Sequence, residues 1–167
     1  MKPHHRNLLL VSLLAVLTYG IYFTVSRERT LRNGRLALLE LAPTDPRSLL
    51  QGDYMVLRYA FTQQFRLSEL PPTGFLLLQL DPQGRLLRAR PQVGALPENA
   101  QEVPLRYRIR RSGPGGAERM LLGAESFFFE EGRADTLQRA RYGGLRLDGR
   151  GGSVLEGLYD ADLRRID

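Results

Sequence analysis

The sequence predicts a mainly β domain, a β-rich sheet, half-barrel or sandwich with one short helix, preceded by one N-terminal transmembrane helix. Three observations carry this. Leu8 to Val25 is an 18-residue run without a charge. Beyond it, apolar residues alternate with polar ones at period two, in short stretches bounded by Gly and Pro. The basic excess sits around the apolar run and not on the rest of the chain. Before residue 36, six cations oppose one acid, a net of +5; after it, 18 arginines oppose 17 acids, a net of +1. The formal charge of +6 and pI near 10.1 therefore describe a membrane boundary and not a nucleic-acid-binding domain.

The first element is the anchor. At 1.5 Å per residue, Leu8 to Val25 spans roughly 27 Å as a helix, close to the bilayer hydrocarbon. Tyr19, Tyr22 and Phe23 gather at its C-terminal end, where an aromatic belt belongs. A cleaved signal peptide is the rival reading. The run is longer than a usual signal core, and no small-x-small cleavage site follows it. Cations flank both sides, so their count does not set the orientation. A seven-residue tail suits a signal-anchor with an exported domain. The expected organisation is a cytoplasmic tail (1–7), an anchor (8–25), a basic linker (26–34) and an exported β-rich domain (35–167). Arg27, Arg29, Arg32 and Arg35 are then expected at the membrane surface.

The β elements follow in order. Leu36–Leu41 is a short strand, and Pro43, Asp45 and Pro46 form a loop. In 53–61, alternation places Met55, Leu57, Tyr59 and Phe61 on one face and Tyr54, Val56, Arg58 and Ala60 on the other. Phe75–Leu80 and Arg85–Arg90 form a hairpin around Asp81-Pro82-Gln83-Gly84. Pro91–Pro104 reads as a loop. In Leu105–Arg111, Leu105, Tyr107 and Ile109 face inward while Arg106, Arg108 and Arg110 face outward. Those arginines repeat at roughly 6.6 Å. They are expected on a solvated face paired with acids of neighbouring strands, the alternative being contact with headgroups or a polyanion. Met120–Leu122 and Glu125–Phe129 are further strands. Ala134–Ala140 is the helix candidate, stopped by Gly143-Gly144. Leu145 opens another strand, Gly149–Gly152 is a turn, and Val154–Tyr159 is the last strand.

The chain has no Cys, and its one Lys and two His (Lys2, His4 and His5) all precede the anchor. Disulfides, thiolate nucleophiles, Ser-His and Ser-Lys dyads, and His/Cys zinc sites are therefore impossible within the exported part. No phosphate-cradling Gly loop or dinucleotide fingerprint is present, and no cofactor or metal is expected. Acid–base chemistry would fall to carboxylates such as Asp53, Glu125, Glu130 and Glu131. The expected function is a non-enzymatic accessory or binding domain at the cell envelope. The alternatives are a carboxylate-dependent hydrolase and a small-ligand or lipid-binding β domain.

Gly52-Asp53-Tyr54-Met55-Val56-Leu57-Arg58-Tyr59 carries all five positions of the pattern GDYxxLxY. With the lead-in Asp45-Pro46-Arg47-Ser48-Leu49-Leu50 and the later Phe127-Phe128-Phe129-Glu130-Glu131-Gly132, the chain resembles the GDYxxLxY family of uncharacterised bacterial membrane-anchored proteins. The resemblance implies a lipid bilayer and a multi-pass membrane protein as partners, and supplies no activity. On the residues themselves, Gly52, Asp53, Tyr54, Leu57 and Tyr59 form a two-sided motif. The outer-face candidates for binding are Asp53, Tyr54 and Arg58, together with Phe127, Phe129 and Glu130. More remotely, Thr44 to Asp53 with its Leu-x-x-Gly-Asp ending is similar to a block of type I signal peptidases. Thr44 stands at the nucleophile position and the base Lys is absent, so that resemblance implies a peptidase-shaped scaffold without its catalytic dyad.

Overall fold

The computed structural model describes residues 3–42, 54–92, 101–111, 117–129 and 137–166. Helix α1 (Pro3–Asn33) contains the apolar run. Its most apolar 18-residue window has a mean hydropathy of 2.2, and none of that window is buried. It is long and apolar enough to cross a bilayer. The helix does not end with the run. Residues 26–33, expected as a linker, continue it without a break. The sequence there favours this: Glu28 and Arg32 pair at 2.7 Å across one turn. The Gly34 amide closes the last turn onto the Thr30 carbonyl at 2.8 Å. Arg27, Arg29 and Arg32 are thus helical, while Arg35 opens the first strand.

Two antiparallel four-stranded sheets make the body of the domain. One runs β1-β8-β9-β10, built from β1 (Arg35–Glu40), β8 (Tyr142–Leu147), β9 (Ser153–Tyr159) and β10 (Arg165–Ile166). The other runs β4-β3-β5-β6, built from β3 (Thr73–Leu80), β4 (Leu86–Gln92), β5 (Glu102–Arg111) and β6 (Glu118–Leu121). A separate pair joins β2 (Tyr54–Val56) to β7 (Ser126–Phe128). The two large sheets curve toward each other as half-barrels and touch at both sides. On one side Leu38 of β1 donates to the Gly84 carbonyl at 2.7 Å; on the other Arg106 of β5 donates to the Gly151 carbonyl at 2.9 Å. The expected mainly β architecture is therefore present.

Several expected boundaries move. The strand over 53–61 is only three residues long among the described residues, because the chain coils into a 3-10 turn at Ala60–Gln64. Phe61 leaves the strand face and meets Phe65 edge-on, with ring centroids 6.5 Å apart. The loop expected over 91–104 is partly strand: β4 runs to Gln92, and β5 begins at Glu102. Pro91 is tolerated because β4 is an edge strand. Of the helix expected at 134–140, only Leu137–Ala140 lie among the described residues, where Ala140 donates to Leu137 in one turn at 3.0 Å.

Gly143 and Gly144 do not terminate that helix; both lie inside β8. Their missing side chains are filled by rings. A Cβ at 143 would stand 3.0 Å from Tyr59 Cε1, and one at 144 would collide with the Tyr159 ring. The same device recurs in the second sheet. Gly74 registers with Tyr107 across β3 and β5, and a Cβ there would meet the Tyr107 hydroxyl at 2.7 Å. A Cβ on Gly151 would strike Phe75. Around these contacts Leu39, Leu76, Leu78, Leu105, Leu145 and Leu158 form the dry interior shared by both sheets. At the β3–β4 turn, Asp81 accepts from the Gln83 and Arg85 amides at 2.9 and 2.8 Å and pairs with the Arg85 guanidinium at 2.7 Å. Burial pulls the Asp81 carboxyl upward. Arg85 and the amides outweigh it and hold the group below its ordinary range.

Two expected outcomes follow from this packing. Gly144→Ala lowers stability by about 1–3 kcal/mol, because the added Cβ overlaps the buried Tyr159 ring, which must shift. Gly20→Ala, with open space around it, leaves the melt unchanged. Thermal unfolding of the detergent-solubilised chain reads both. Asp81→Asn destabilises at pH 7, and its deficit relative to wild type shrinks as pH falls through the lowered Asp81 pKa. The native carboxylate contributes only while charged. Paired melts from pH 7 to pH 2 measure that convergence.

Candidate functional site

The described part of the motif turns its apolar side inward. Met55, Leu57 and Tyr59 are buried, while Val56 and Arg58 are exposed. Period-two geometry accounts for this alternation. After Val56 the ladder to β7 continues for one further bond, from the Leu57 amide to the Glu125 carbonyl at 2.7 Å. Tyr59 then bridges to Leu41, at the end of β1. Its hydroxyl donates to the Ala124 carbonyl at 2.6 Å inside the domain. Burial, and after it the nearby Glu125 carboxylate, push this phenol far above its ordinary pKa, so it stays a neutral donor.

Beside Tyr59 lies a pocket of about 380 Å³. Leu57, Phe65, Leu67 and Met120 supply its apolar wall, and Arg58, Arg119 and Glu125 its polar edge. Among the described residues, Arg58 is the expected binding residue that lines it. Phe127 and Phe129 instead pack, half-buried, against the core. Gly52, Asp53, Glu130 and Glu131 lie outside the described residues, and Tyr54 is placed by its backbone, in register with Phe128. Glu125 is committed locally: its carboxylate accepts from the Leu122 amide and from the Gly123 amide at 3.1 Å. Among the described residues no cluster of His, Asp or Glu side chains could hold a metal ion.

A second, larger cleft of about 630 Å³ opens where α1 meets the sheets. Arg27 reaches across it to the Ser153 carbonyl at 2.9 Å, and its guanidinium lies 5.2 Å from the Phe23 ring. Arg106, Arg108 and Arg150 line the facing wall. The outward arginines of β5 were expected opposite acids, and register dictates otherwise. Arg106 stands across from Phe75, Arg108 from Thr73 and Leu121, and Arg110 from Arg119. Only Arg111 faces an acid, pairing with Glu118 at 2.5 Å. Of the four arginines expected at the membrane surface, Arg27 lines this cleft, Arg32 pairs with Glu28, and Arg29 is exposed. Arg35 reaches the Gln101 carbonyl at 3.4 Å.

Sequence reasoning missed the contribution of the 148–153 turn to this cleft. Its composition marks a turn, but nothing local shows that Gly151 will bridge to Leu105 and carry Arg150 beside β5. Tyr59→Phe removes the donor to the Ala124 carbonyl and is expected to cost about 1–3 kcal/mol, through an unsatisfied buried acceptor. Chemical denaturation of the full chain measures it.

Comparison with known proteins places the chain against a family model. A family model described as GDYXXLXY protein fits residues 14–158. No curated protein matches, and no solved structure matches. The resemblance to type I signal peptidases is not shown by these comparisons. The match runs from within the apolar helix to the last long strand and includes the motif around Tyr59, so this chain belongs to the GDYXXLXY family.

Proposed function

We propose that the protein is a single-pass, membrane-anchored accessory domain, exposed at the extracytoplasmic face, that binds a multi-pass membrane protein without catalysing a reaction. The observation that carries this reading is α1. Its whole apolar window is exposed, and the helix passes into β1 with only Gly34 between them. An apolar helix of that length needs lipid or other helices around it. The domain that follows is held a short distance from the bilayer, where a membrane protein's loops are within reach. The Val56 and Arg58 side of the motif is the surface offered to that partner. Glu125 is occupied by backbone amides, which gives a hydrolase reading no poised base there.

The pocket beside Tyr59 favours a second reading. Its apolar wall of Leu57, Phe65, Leu67 and Met120 suits a small apolar ligand or one inserted partner side chain.

Affinity purification of the tagged full chain in mild detergent tests the first reading. A stoichiometric multi-pass protein is expected with wild type. It is expected to be lost with Val56→Asp combined with Arg58→Glu, at an unchanged melting temperature. Retention of that protein by the double variant would contradict the assigned surface, and recovery of the bait alone would contradict the accessory role.

A further inference from the structure

We propose that the arginine-walled cleft at the membrane exit of α1 is a binding site for the phosphate headgroup of an anionic glycerophospholipid. The inference rests on α1 being a membrane anchor, and it holds for either side of the bilayer.

Position comes first. The helical wall of the cleft is built from Tyr22, Phe23, Ser26, Arg27 and Thr30. Tyr22 and Phe23 close the apolar run and therefore sit at the depth where acyl chains give way to headgroups. Arg27 lies about one turn further out. The β wall brings Arg106, Arg108 and Arg150 to the same space. A lipid whose chains lie along α1 would present its phosphate at this level.

Charge comes second. Two carboxylates, Glu125 and Asp148, line the cleft with the four arginines, and both are turned to backbone work. Glu125 accepts from the Leu122 and Gly123 amides, and Asp148 accepts from the Arg150 and Gly152 amides at 2.8 Å. Neither forms an ion pair with a cleft arginine. The Arg106 guanidinium lies over the Phe75 ring, 5.4 Å from its centroid, a contact that favours one placement of the charge at the cleft wall. Arg27 is steadied by the Ser153 carbonyl and the Phe23 ring. Held in place this way, planar guanidinium forks suit a phosphate oxygen pair better than mobile side chains would.

Third, the site is built by the fold and not by a run of sequence. Arg27, Arg106 and Arg150 come from α1, β5 and the β8–β9 turn. The contact that gathers the last two is the Arg106 amide bond to the Gly151 carbonyl at 2.9 Å. A general basic tail would need no such closure.

The test uses the full chain in phosphatidylcholine nanodiscs and in mixed phosphatidylcholine/phosphatidylglycerol nanodiscs, with binding of a fluorescent phosphatidylglycerol as the readout. Wild type is expected to prefer phosphatidylglycerol over phosphatidylcholine. The triple variant Arg106→Gln, Arg108→Gln and Arg150→Gln is expected to lose that preference, weakening phosphatidylglycerol binding on the order of 100-fold. The double variant Arg88→Gln and Arg110→Gln, exposed and away from the cleft, is expected to behave as wild type. Arg150→Glu alone, in an exposed turn, carries the same test should the triple variant lose its wild-type melt. Equal binding of both lipids by wild type, or an equal loss with the Arg88/Arg110 variant, would overturn the site. Saturation by soluble glycerol phosphate at lipid-like affinity would overturn the lipid as its source. Failure to enter phosphatidylcholine nanodiscs at all would overturn the anchor, whereas entry without lipid preference overturns the cleft alone.

Discussion

The phenol of Tyr59 donates to the Ala124 carbonyl at 2.6 Å while its ring occupies the space that a side chain at Gly143 would need. Its backbone bridges to Leu41 at the end of β1. Four segments are therefore fastened at one residue: the motif strand, the end of β1, the approach to β7, and the start of β8. The constraint is steric before it is polar. A ring can lie against a sheet at this distance only where the facing residue lacks a Cβ. The Tyr159–Gly144, Tyr107–Gly74 and Phe75–Gly151 contacts repeat it across both sheets. Each replaces a small backbone gap with a large apolar contact, as close packing requires.

These contacts have functional consequences through placement. The Phe75–Gly151 contact sits beside the bridge from Gly151 to Leu105, which closes the two sheets on one side. That closure sets Arg150 next to Arg106. At the other end of the motif, burial of Met55, Leu57 and Tyr59 obliges Val56 and Arg58 to face outward. The interior therefore decides which residues the domain shows. The continuous helix decides where it shows them. Because residues 26–33 are helical and only Gly34 separates α1 from β1, the β domain is set on the anchor and not suspended from it.

Much of the architecture was legible in the sequence. The uncharged run of Leu8–Val25, the alternation around Leu57 and Leu105, and the Asp81–Gly84 turn are local signals, and local geometry reproduces them. The signals that failed concern partners distant in sequence. Gly143-Gly144 reads as a helix stop because a glycine pair usually breaks a helix; only Tyr59 and Tyr159, brought in from elsewhere, reveal it as a packing site. The outward arginines of β5 were readable, but their cross-strand neighbours depend on register, which set Arg110 opposite Arg119 and Arg106 opposite Phe75. The basic stretch after Val25 reads as a linker by charge, although its Glu28–Arg32 spacing is helical. Of the candidate site, Arg58 and Arg27 were visible in advance. Arg150 was not, because a turn residue acquires its surroundings from the sheet that the turn abuts.

In the proposed arrangement α1 crosses the bilayer and presents the β domain at the extracytoplasmic surface. The absence of Cys makes one measurement direct. A single Leu87→Cys variant, at a position 64% exposed on the edge strand β4, is treated with a membrane-impermeant maleimide in intact spheroplasts. Labelling as complete as that seen after permeabilisation is expected. Labelling that appears only once the membrane is opened would contradict it.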